Sequence, residues 1–330
     1  MLGFHFDGQS LQLPAGHRFP QHKYAALRER LSQRLPALRL QPARAAPLPD
    51  LLRVHAPDYV RRVMEGGLSA AEQREIGFPW TPGMPMRARH SVGATLAASD
   101  AALREGVAIN LGGGTHHAGR DMGGGYCVFN DVACAARRLQ AARPGVRVLV
   151  IDLDVHQGNG TAAIFAGDAS VFTLSLHGAR NFPFRKVAGS LDVDLPDACG
   201  DAEYLAQLER ALQAVDARFG RPDFAYYLAG ADPHEGDRLG RLRLSSAAMA
   251  ARDAAVFAWL RARRVPVVML MAGGYPTDLE AMLAVQEASC RAALGCWSEW
   301  QDAPPSSPTK TSCSKTSPIS AMSSPWAPSS

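Results

Sequence analysis

Nowhere in the 330 residues do two cysteines form a CxxC pair. The six present, at 127, 134, 199, 290, 296 and 313, follow no framework spacing, which speaks against a secreted disulfide scaffold and for a reducing compartment. No apolar run exceeds strand length, so no transmembrane helix is expected. A cleaved signal is not expected either, because His5, Asp7 and Pro14 interrupt any apolar segment near the start. Charge of one sign never gathers. The 35 Lys and Arg against 31 Asp and Glu leave a net +4, scattered over expected helix faces and not drawn into the basic stripe that nucleic-acid binding needs. These absences describe a soluble intracellular chain, cytoplasmic, or nuclear in a eukaryote, with neither a membrane nor nucleic acid as a direct partner. What is present is core-building material. At 47% hydrophobic and 20% charged, the chain suffices for one large α/β domain or two smaller ones.

From about residue 90, apolar strands alternate with helices. Helices are expected over 91–104, closed by Gly106, over 131–143, stopped by Pro144-Gly145, over 201–219, ended by Gly220, and over 246–263. Strands are expected at 107–111, 146–151, 170–176, 224–229 and 265–271. Thr277 and Glu280 have the spacing of a capping box for a last helix reaching about 297, with Trp297 and Trp300 capping it against the core. The first 80 residues are rich in proline and weak in strand signals, and apart from a helix at 23–35 they read as an extension of the same unit. The alternation predicts a single α/β domain over 1–300, with a mostly parallel central sheet flanked by helices on both faces. From about Asp302 the composition turns to Ser, Pro, Thr and Lys. Such a stretch buries too little apolar surface to offset its ordering entropy, so 301–330 is expected to be a disordered tail.

The densest chemistry lies in Asp152-Leu153-Asp154-Val155-His156-Gln157-Gly158-Asn159, at the end of the strand expected over 146–151. Alternate side chains of a strand share a face, so Asp152, Asp154 and His156 can converge on one site. A buried strand seldom ends in carboxylates that lack a partner, because a desolvated charge is costly. In a parallel sheet all strand ends gather on one edge, where ligands bind. The other strands run into Gly112-Gly113-Gly114-Thr115-His116-His117, Ser175-Leu176-His177, Gly230-Ala231-Asp232 and Gly273-Gly274-Tyr275. Asp154, His156 and Asp232 make a three-donor zinc set with an open position for water, and the same donors also permit Fe(II). Two anionic donors weaken the pull of the metal on its water, which makes a separate general base useful, and the pair His116-His117 could supply it. The Tyr275 hydroxyl could bond a developing oxyanion. These parts fit metal-assisted hydrolysis of an amide or ester.

Taken together, Gly113-Gly114-Thr115-His116-His117-Ala118, Gly125-Tyr126-Cys127-Val128-Phe129-Asn130-Asp131, Asp152 through Gly160, Gly230-Ala231-Asp232 and Gly273-Gly274-Tyr275 resemble the ordered motifs of the histone deacetylase family, within the arginase/deacetylase superfamily. His156-Gln157-Gly158-Asn159 and Glu235-Gly236-Asp237-Arg238-Leu239-Gly240 are most similar to its class IV branch and bacterial relatives, and Pro14-Ala15-Gly16-His17-Arg18-Phe19-Pro20 resembles the opening of the bacterial members. The resemblance implies an arginase/deacetylase-like fold, with zinc at Asp154, His156 and Asp232. It implies proton transfer by His117, with His116 as its electrostatic neighbour, and carbonyl polarisation by Tyr275. Asp152 would orient His116 and join a structural monovalent cation site (K+), completed by the main-chain carbonyls of Asp154, His156 and Leu176 and the Ser175 hydroxyl. Tyr126 and Phe182 would line the tunnel for the acyl-lysine stem, with the Gly125 carbonyl near the substrate. There are two departures. Asn159 stands where class I members carry aspartate, which should leave the imidazole less basic. Tyr126 stands where many relatives have Phe, adding a polar atom to the tunnel wall.

The activity so implied is zinc-dependent removal of acyl groups, acetyl first, from lysine side chains of proteins: a hydrolase acting on linear amide C–N bonds. Three other readings compete with it. One is deacetylation of small molecules such as acetylpolyamines, which an acidic gate would favour. Another is an arginase-like two-metal hydrolase, which would need carboxylates where Asn159 and His234 stand. The third is a non-catalytic scaffold that binds acyl-lysine, against which His117 and Tyr275 argue. His90, His177 and His234 read as core or surface histidines, and Cys127 as a small buried residue rather than a redox switch.

Overall fold

Every strand pairing in the sheet is parallel, so each connection must cross over one face or the other. The computed structural model describes residues 1–302. In chain order the elements are β1 (Leu2–His5), α1 (Lys23–Arg34), β2 (Arg39–Pro42), α2 (Leu48–Leu52), α3 (Pro57–Glu65), α4 (Ala70–Ile76), α5 (Gly83–Glu105), β3 (Val107–Asn110), α6 (Asp131–Ala142), β4 (Val148–Asp152), α7 (Asn159–Ile164), β5 (Val171–Gly178), β6 (Leu191–Leu195), α8 (Asp201–Arg218), β7 (Phe224–Leu228), α9 (Ser246–Ala262), β8 (Val267–Leu270) and α10 (Leu279–Asp302). The strands form one eight-stranded sheet in the order β2-β1-β3-β8-β7-β4-β5-β6.

Central strands alternate their side chains between two cores. Leu149 and Ile151 of β4, with Val267 and Met269 of β8, pack beneath α1, α8, α9 and α10. Val148 and Val150, with Val268 and Leu270, pack on the other face beneath α3, α5 and α6. Such side chains each contribute about 1.5–3 kcal/mol on full burial, and they lie on both faces, which is why these strands read as unbroken apolar runs. The α/β architecture with helices on both faces thus matches its expectation.

Three strands had no clear sequence signal. β1 and β2 add the N-terminal segment to the sheet, with Pro42 ending the edge strand, where a missing N–H is harmless. β6 forms the opposite edge and is only partly buried, with Asp192 and Asp194 guarding it against further pairing. The expected Thr277–Glu280 capping box is not formed. The Asp278 carboxylate accepts from the N–H of Glu280 at 2.9 Å and caps α10, while Thr277 Oγ1 donates to Gly236 O. Trp297 packs against the core, and a Cβ at Gly106 would lie 2.3 Å from the Trp300 ring. α10 runs through Asp302, so the first two residues of the expected tail close this helix and the rest lies outside the described residues.

Candidate active site

The carboxyl ends of β3, β4, β7 and β8 bring together the loops that carry the candidate residues. Asp154, His156 and Asp232 are all buried, and each offers a ligand atom within 4.8 Å of the other two. His156 Nδ1 lies 2.9 Å from Asp154 Oδ1 and 3.3 Å from Asp232 Oδ2. Backbone N–H groups hold the carboxylates in place. Gly273 donates to Asp154 Oδ2 at 2.7 Å, and Val155 donates to Asp232 Oδ1 at 2.9 Å. Asp232 Oδ2 is buried with no aligned hydrogen-bond partner. A Cβ at Gly273 would stand 1.9 Å from that oxygen and 2.5 Å from Asp154 Oδ2, so only glycine leaves the space open. A buried acceptor without a donor, beside a second carboxylate and an imidazole, fits a divalent cation.

The electrostatics agree. Burial and the charge of Asp154 push the Asp232 carboxyl up to about 7. Burial pulls His156 down, but its bond to Asp154 and the nearby Asp232 carboxylate outweigh this and lift it to about 10. Asp154 is held well below its usual range, since the charges of His116 and His156 overcome its burial. Without a cation the trio balances its charge with protons, and a bound dication would take over that role.

Next to this trio, His116 and His117 stand with ring centroids 4.1 Å apart. His116 Nδ1 meets Asp152 Oδ2 at 2.6 Å and His117 Nδ1 meets Asn159 Oδ1 at 2.8 Å. An amide oxygen only accepts, so His117 carries its proton on Nδ1 and leaves Nε2 free as a base. Burial lowers both imidazoles. For His116 the charges of Asp152 and Asp154 reverse the effect and raise it to about 9. For His117 the neighbouring His116 and His156 add to burial and hold it well below its usual range.

Tyr275 is buried, its ring 6.4 Å from that of His156. Burial and the charges of Asp154 and Asp232 raise its phenol well above the ordinary value, which keeps the hydroxyl a donor. From the tyrosine a cavity of about 280 Å³ leads outward, lined by His117, Gly125, Tyr126, Phe182 and Leu239 and reaching Arg74 and Glu75 at its mouth. Phe182 stands edge-on to His117 at 4.9 Å. Tyr126 adopts a positive φ of 66°, and its N–H donates to Ile76 O at 2.7 Å, so α4 holds this wall. Asp152 and Ser175 lie in register on β4 and β5, and Ser175 Oγ is 2.9 Å from His177 Nδ1. His177 otherwise approaches Asp194, His234 accepts from Gly236 N, and His90 lies against Ala43 O; none of them lines the tunnel. Burial pushes the Cys127 thiol up, in keeping with an inert small residue.

Several supporting residues went unassigned in the sequence. Asp131 accepts from Gly114 N, Thr115 N and Thr115 Oγ1 at 3.1, 2.8 and 2.7 Å and so fixes the turn before His116-His117. Asp237 accepts from Tyr275 N at 2.6 Å, and Arg238 N donates to Tyr275 O. Arg252, fully buried on α9, donates from Nη1 to Gly230 O at 2.6 Å and Leu153 O at 3.4 Å, tying together the two loops that carry Asp154 and Asp232. The Glu235-to-Gly240 motif signalled Asp237 and Leu239, whereas a lone helical arginine carries no comparable signal.

Comparison with known proteins adds four findings. Residues 17–290 match the family model described as the histone deacetylase domain. The chain is 39% identical over 287 residues to an uncharacterised protein of Picosynechococcus sp., covering 85% of this chain and 94% of the relative. It is 33% identical over 248 residues to histone deacetylase 2 of Arabidopsis thaliana, covering 71% of this chain and 63% of that protein. Its fold is similar to the crystal structure of the HDA15 HD domain, with a TM-score of 0.73 at 24% identity over 89% of this chain and 91% of that one.

Proposed function

The chain belongs to the histone deacetylase family, and from that premise we propose that it is a zinc-dependent amidohydrolase that removes acyl groups from lysine side chains of proteins. The observation that carries this is His117, held neutral by burial and its charged neighbours, beside the Asp154–His156–Asp232 trio at the inner end of the cavity that Tyr126 and Phe182 line. Asp154, His156 and Asp232 would hold the ion. When bound, it supplies Lewis acidity toward the amide carbonyl and the attacking water.

The remaining chemistry belongs to the chain's own groups. His117 Nε2 takes a proton from the water as its oxygen bonds to the amide carbon. The Tyr275 hydroxyl donates to the oxygen on which charge develops, an interaction worth about 3–4 kcal/mol at comparable sites. His117 then passes the proton to the amine nitrogen as the C–N bond breaks, leaving a carboxylate and a free amine. His116, kept protonated by Asp152, discourages protonation of His117 before water arrives. Tyr126 and Phe182 hold the aliphatic stem by their apolar faces. Asp152, Ser175, the backbone of Asp154 and His156 and the Leu176 carbonyl are proposed to hold a structural monovalent cation, K+.

Deacetylation of polyamines is the weaker reading, because the tunnel mouth carries Arg74 beside Glu75 and exposes Arg18 and Arg238 near Tyr126, a poor gate for a polycation. Among the described residues only one group of three His, Cys, Asp or Glu side chains converges, which supports one catalytic ion rather than an arginase-like pair. The test is hydrolysis by purified protein, reconstituted in parallel with zinc or Fe(II), of acyl-lysine peptides and acetylpolyamines, with metal counted per chain. Cleavage of peptides with about one zinc per chain is expected. Cleavage of polyamines alone, or of nothing, would refute the proposal.

A further inference from the structure

Behind the trio a second cavity of about 80 Å³ continues into the protein from His117, His156 and Tyr275. About 10–15 Å³ of such space holds one water, so this chamber takes on the order of five or six heavy atoms. Much of its wall is apolar, including Phe6, Phe19, Phe78 and Met84. Yet two cations, Lys23 and Arg87, are buried in the same wall at 2% and 7% exposure.

Neither has an acid in contact, and Asp7 acts on the Arg87 guanidinium only from a distance. Among the described residues no carboxylate comes within 4.0 Å of the Lys23 ammonium or the Arg87 guanidinium, and the only carboxylate lining the chamber is Asp154. Lys23 Nζ makes one hydrogen bond, to Gly274 O at 3.0 Å, although an ammonium has three donors. Arg87 Nη1 donates to Gln9 O, the Tyr24 phenol adds a hydrogen bond, and the guanidinium otherwise rests on the rings of Phe6, Tyr24 and Phe19 at 5.1, 4.9 and 5.8 Å. Burying two cations without an anion is expensive unless a ligand brings the anion. Their placement forms a path: Lys23 Nζ is 5.5 Å from the Tyr275 ring and 5.2 Å from that of Tyr24, and Arg87 lies against Tyr24 further in.

We propose that this chamber binds the terminal carboxylate of a dicarboxylic acyl group, so that the enzyme prefers amides of succinyl or glutaryl length. This rests on the deacylase reading above. With the carbonyl at Tyr275, the acyl chain points inward, its methylenes lie on the apolar wall, and its far carboxylate meets Lys23 first and Arg87 next. A neutral chain of equal length leaves both cations unanswered. Every deacylation also releases a carboxylate, so the same chemistry could serve the departing acid, and the test separates the two sources.

One peptide is prepared with acetyl-, butyryl-, succinyl-, glutaryl- and succinamoyl-lysine, the last a neutral isostere of succinyl. The zinc-loaded enzyme is expected to show kcat/KM at least about tenfold higher for succinyl or glutaryl than for butyryl or succinamoyl. Arg87→Met and Lys23→Met should each collapse that ratio toward one while acetyl turnover changes far less, and Arg87→Lys should recover part of it. Binding of glutarate to the folded enzyme, followed calorimetrically against propionate, gives a readout independent of turnover and should be lost in Arg87→Met. Equal or faster cleavage of the neutral chains overturns the proposal even if neither variant folds. Equal slowing of acetyl and succinyl substrates in the variants also overturns it, by assigning the cations to the departing acid. If no amide is cleaved but glutarate binds through Arg87, the deacylase reading fails and the carboxylate site stands.

Discussion

Replacing Arg252 with methionine should weaken both the fold and the metal centre. The guanidinium is fully buried, bonds Asp253 Oδ1 through Nε at 2.8 Å, and reaches the carbonyls of Gly230 and Leu153. Methionine fills similar apolar space but strands the Asp253 carboxylate and two loop carbonyls. Breaking a buried ion pair by removing one partner costs about 3–5 kcal/mol. One wild-type donor, Nη2, is already without a partner, which takes something from the value of the native arrangement and places the loss near the lower figure. Asp253 also accepts from the Tyr227 and Ser289 hydroxyls, which soften its isolation. In a unit of this size a loss of about 3 kcal/mol corresponds to a melting temperature lower by about 5 °C. Because Gly230 and Leu153 precede Asp232 and Asp154, loosened loops should also lower zinc affinity by about 10–100-fold, the usual cost of losing an outer support. Thermal melting of the metal-free protein measures the first effect, and zinc titration against a competing chelator the second. Adding Asp253→Asn should recover part of the stability, since no charge is then stranded, but not the zinc affinity. A single variant that melts within about 2 °C of wild type and binds zinc as tightly would refute the assignment of Arg252 to the ligand loops.

Three further outcomes follow from the geometry. His117→Ala should retain zinc while turnover falls by about two or more orders of magnitude, and unchanged turnover would remove His117 from proton transfer. Asn159→Asp puts a negative charge 2.8 Å from His117 Nδ1, favours the imidazolium and should move the acid limb of the kcat/KM profile to higher pH; an unmoved limb would show that Asn159 does not tune the base. His55, pulled by burial from 6.5 down to about 4, stays neutral in the fold and its Nε2 accepts from Asn130 N at 3.0 Å. The unfolded chain binds this proton more tightly, so stability present above pH 6.5 should decline as pH falls from 6.5 toward 4, by about 3 kcal/mol at full effect. Chemical denaturation of the wild type and His55→Gln across that range measures it, and parallel losses in the two proteins would exclude His55 as the source.

How much of this was legible in the sequence depended on the range of the interactions involved. The central strands could be read because burial on both faces leaves no polar side chains to break the apolar run, as in Val148 to Ile151. β2 and β6 could not, since edge strands expose one side and keep Arg39, Gln41, Asp192 and Asp194. The site residues at the strand ends were legible because a parallel sheet collects them by topology alone. Their supports were not. Arg252 acts on residues 22 and 99 positions away, and Ile76 on α4 holds Tyr126 across a similar gap in chain order. Lys23 sat within an expected helix, where a lysine reads as solvent-facing, and only packing against Gly274 and Tyr275 shows it buried. The capping error at Thr277 was local: two adjacent residues could both cap, and Asp278 was better placed.

Residue type and spacing left the choice between His116 and His117 open, and only the family resemblance pointed to His117. The two imidazoles are adjacent in sequence, nearly in contact and both buried, yet their proton affinities move in opposite directions. What separates them is one atom type in the partner: a carboxylate oxygen of Asp152 against an amide oxygen of Asn159. The carboxylate keeps a cation on His116, and that cation in turn keeps His117 neutral, so the base is set up by the neighbour it does not bond. A site that separates two like groups in this way assigns one to charge and the other to proton transfer. The same logic extends to the metal trio. Asp154 is held ionised while Asp232 and His156 share protons that a dication would displace, so binding the ion should release protons near neutral pH. Since two protons leave as two positive charges arrive, occupancy keeps the charge beside His117 nearly unchanged, and its basicity stays set by burial and by His116. The neutral amide of Asn159 adds no charge to that balance, so the imidazole it holds keeps its lone pair.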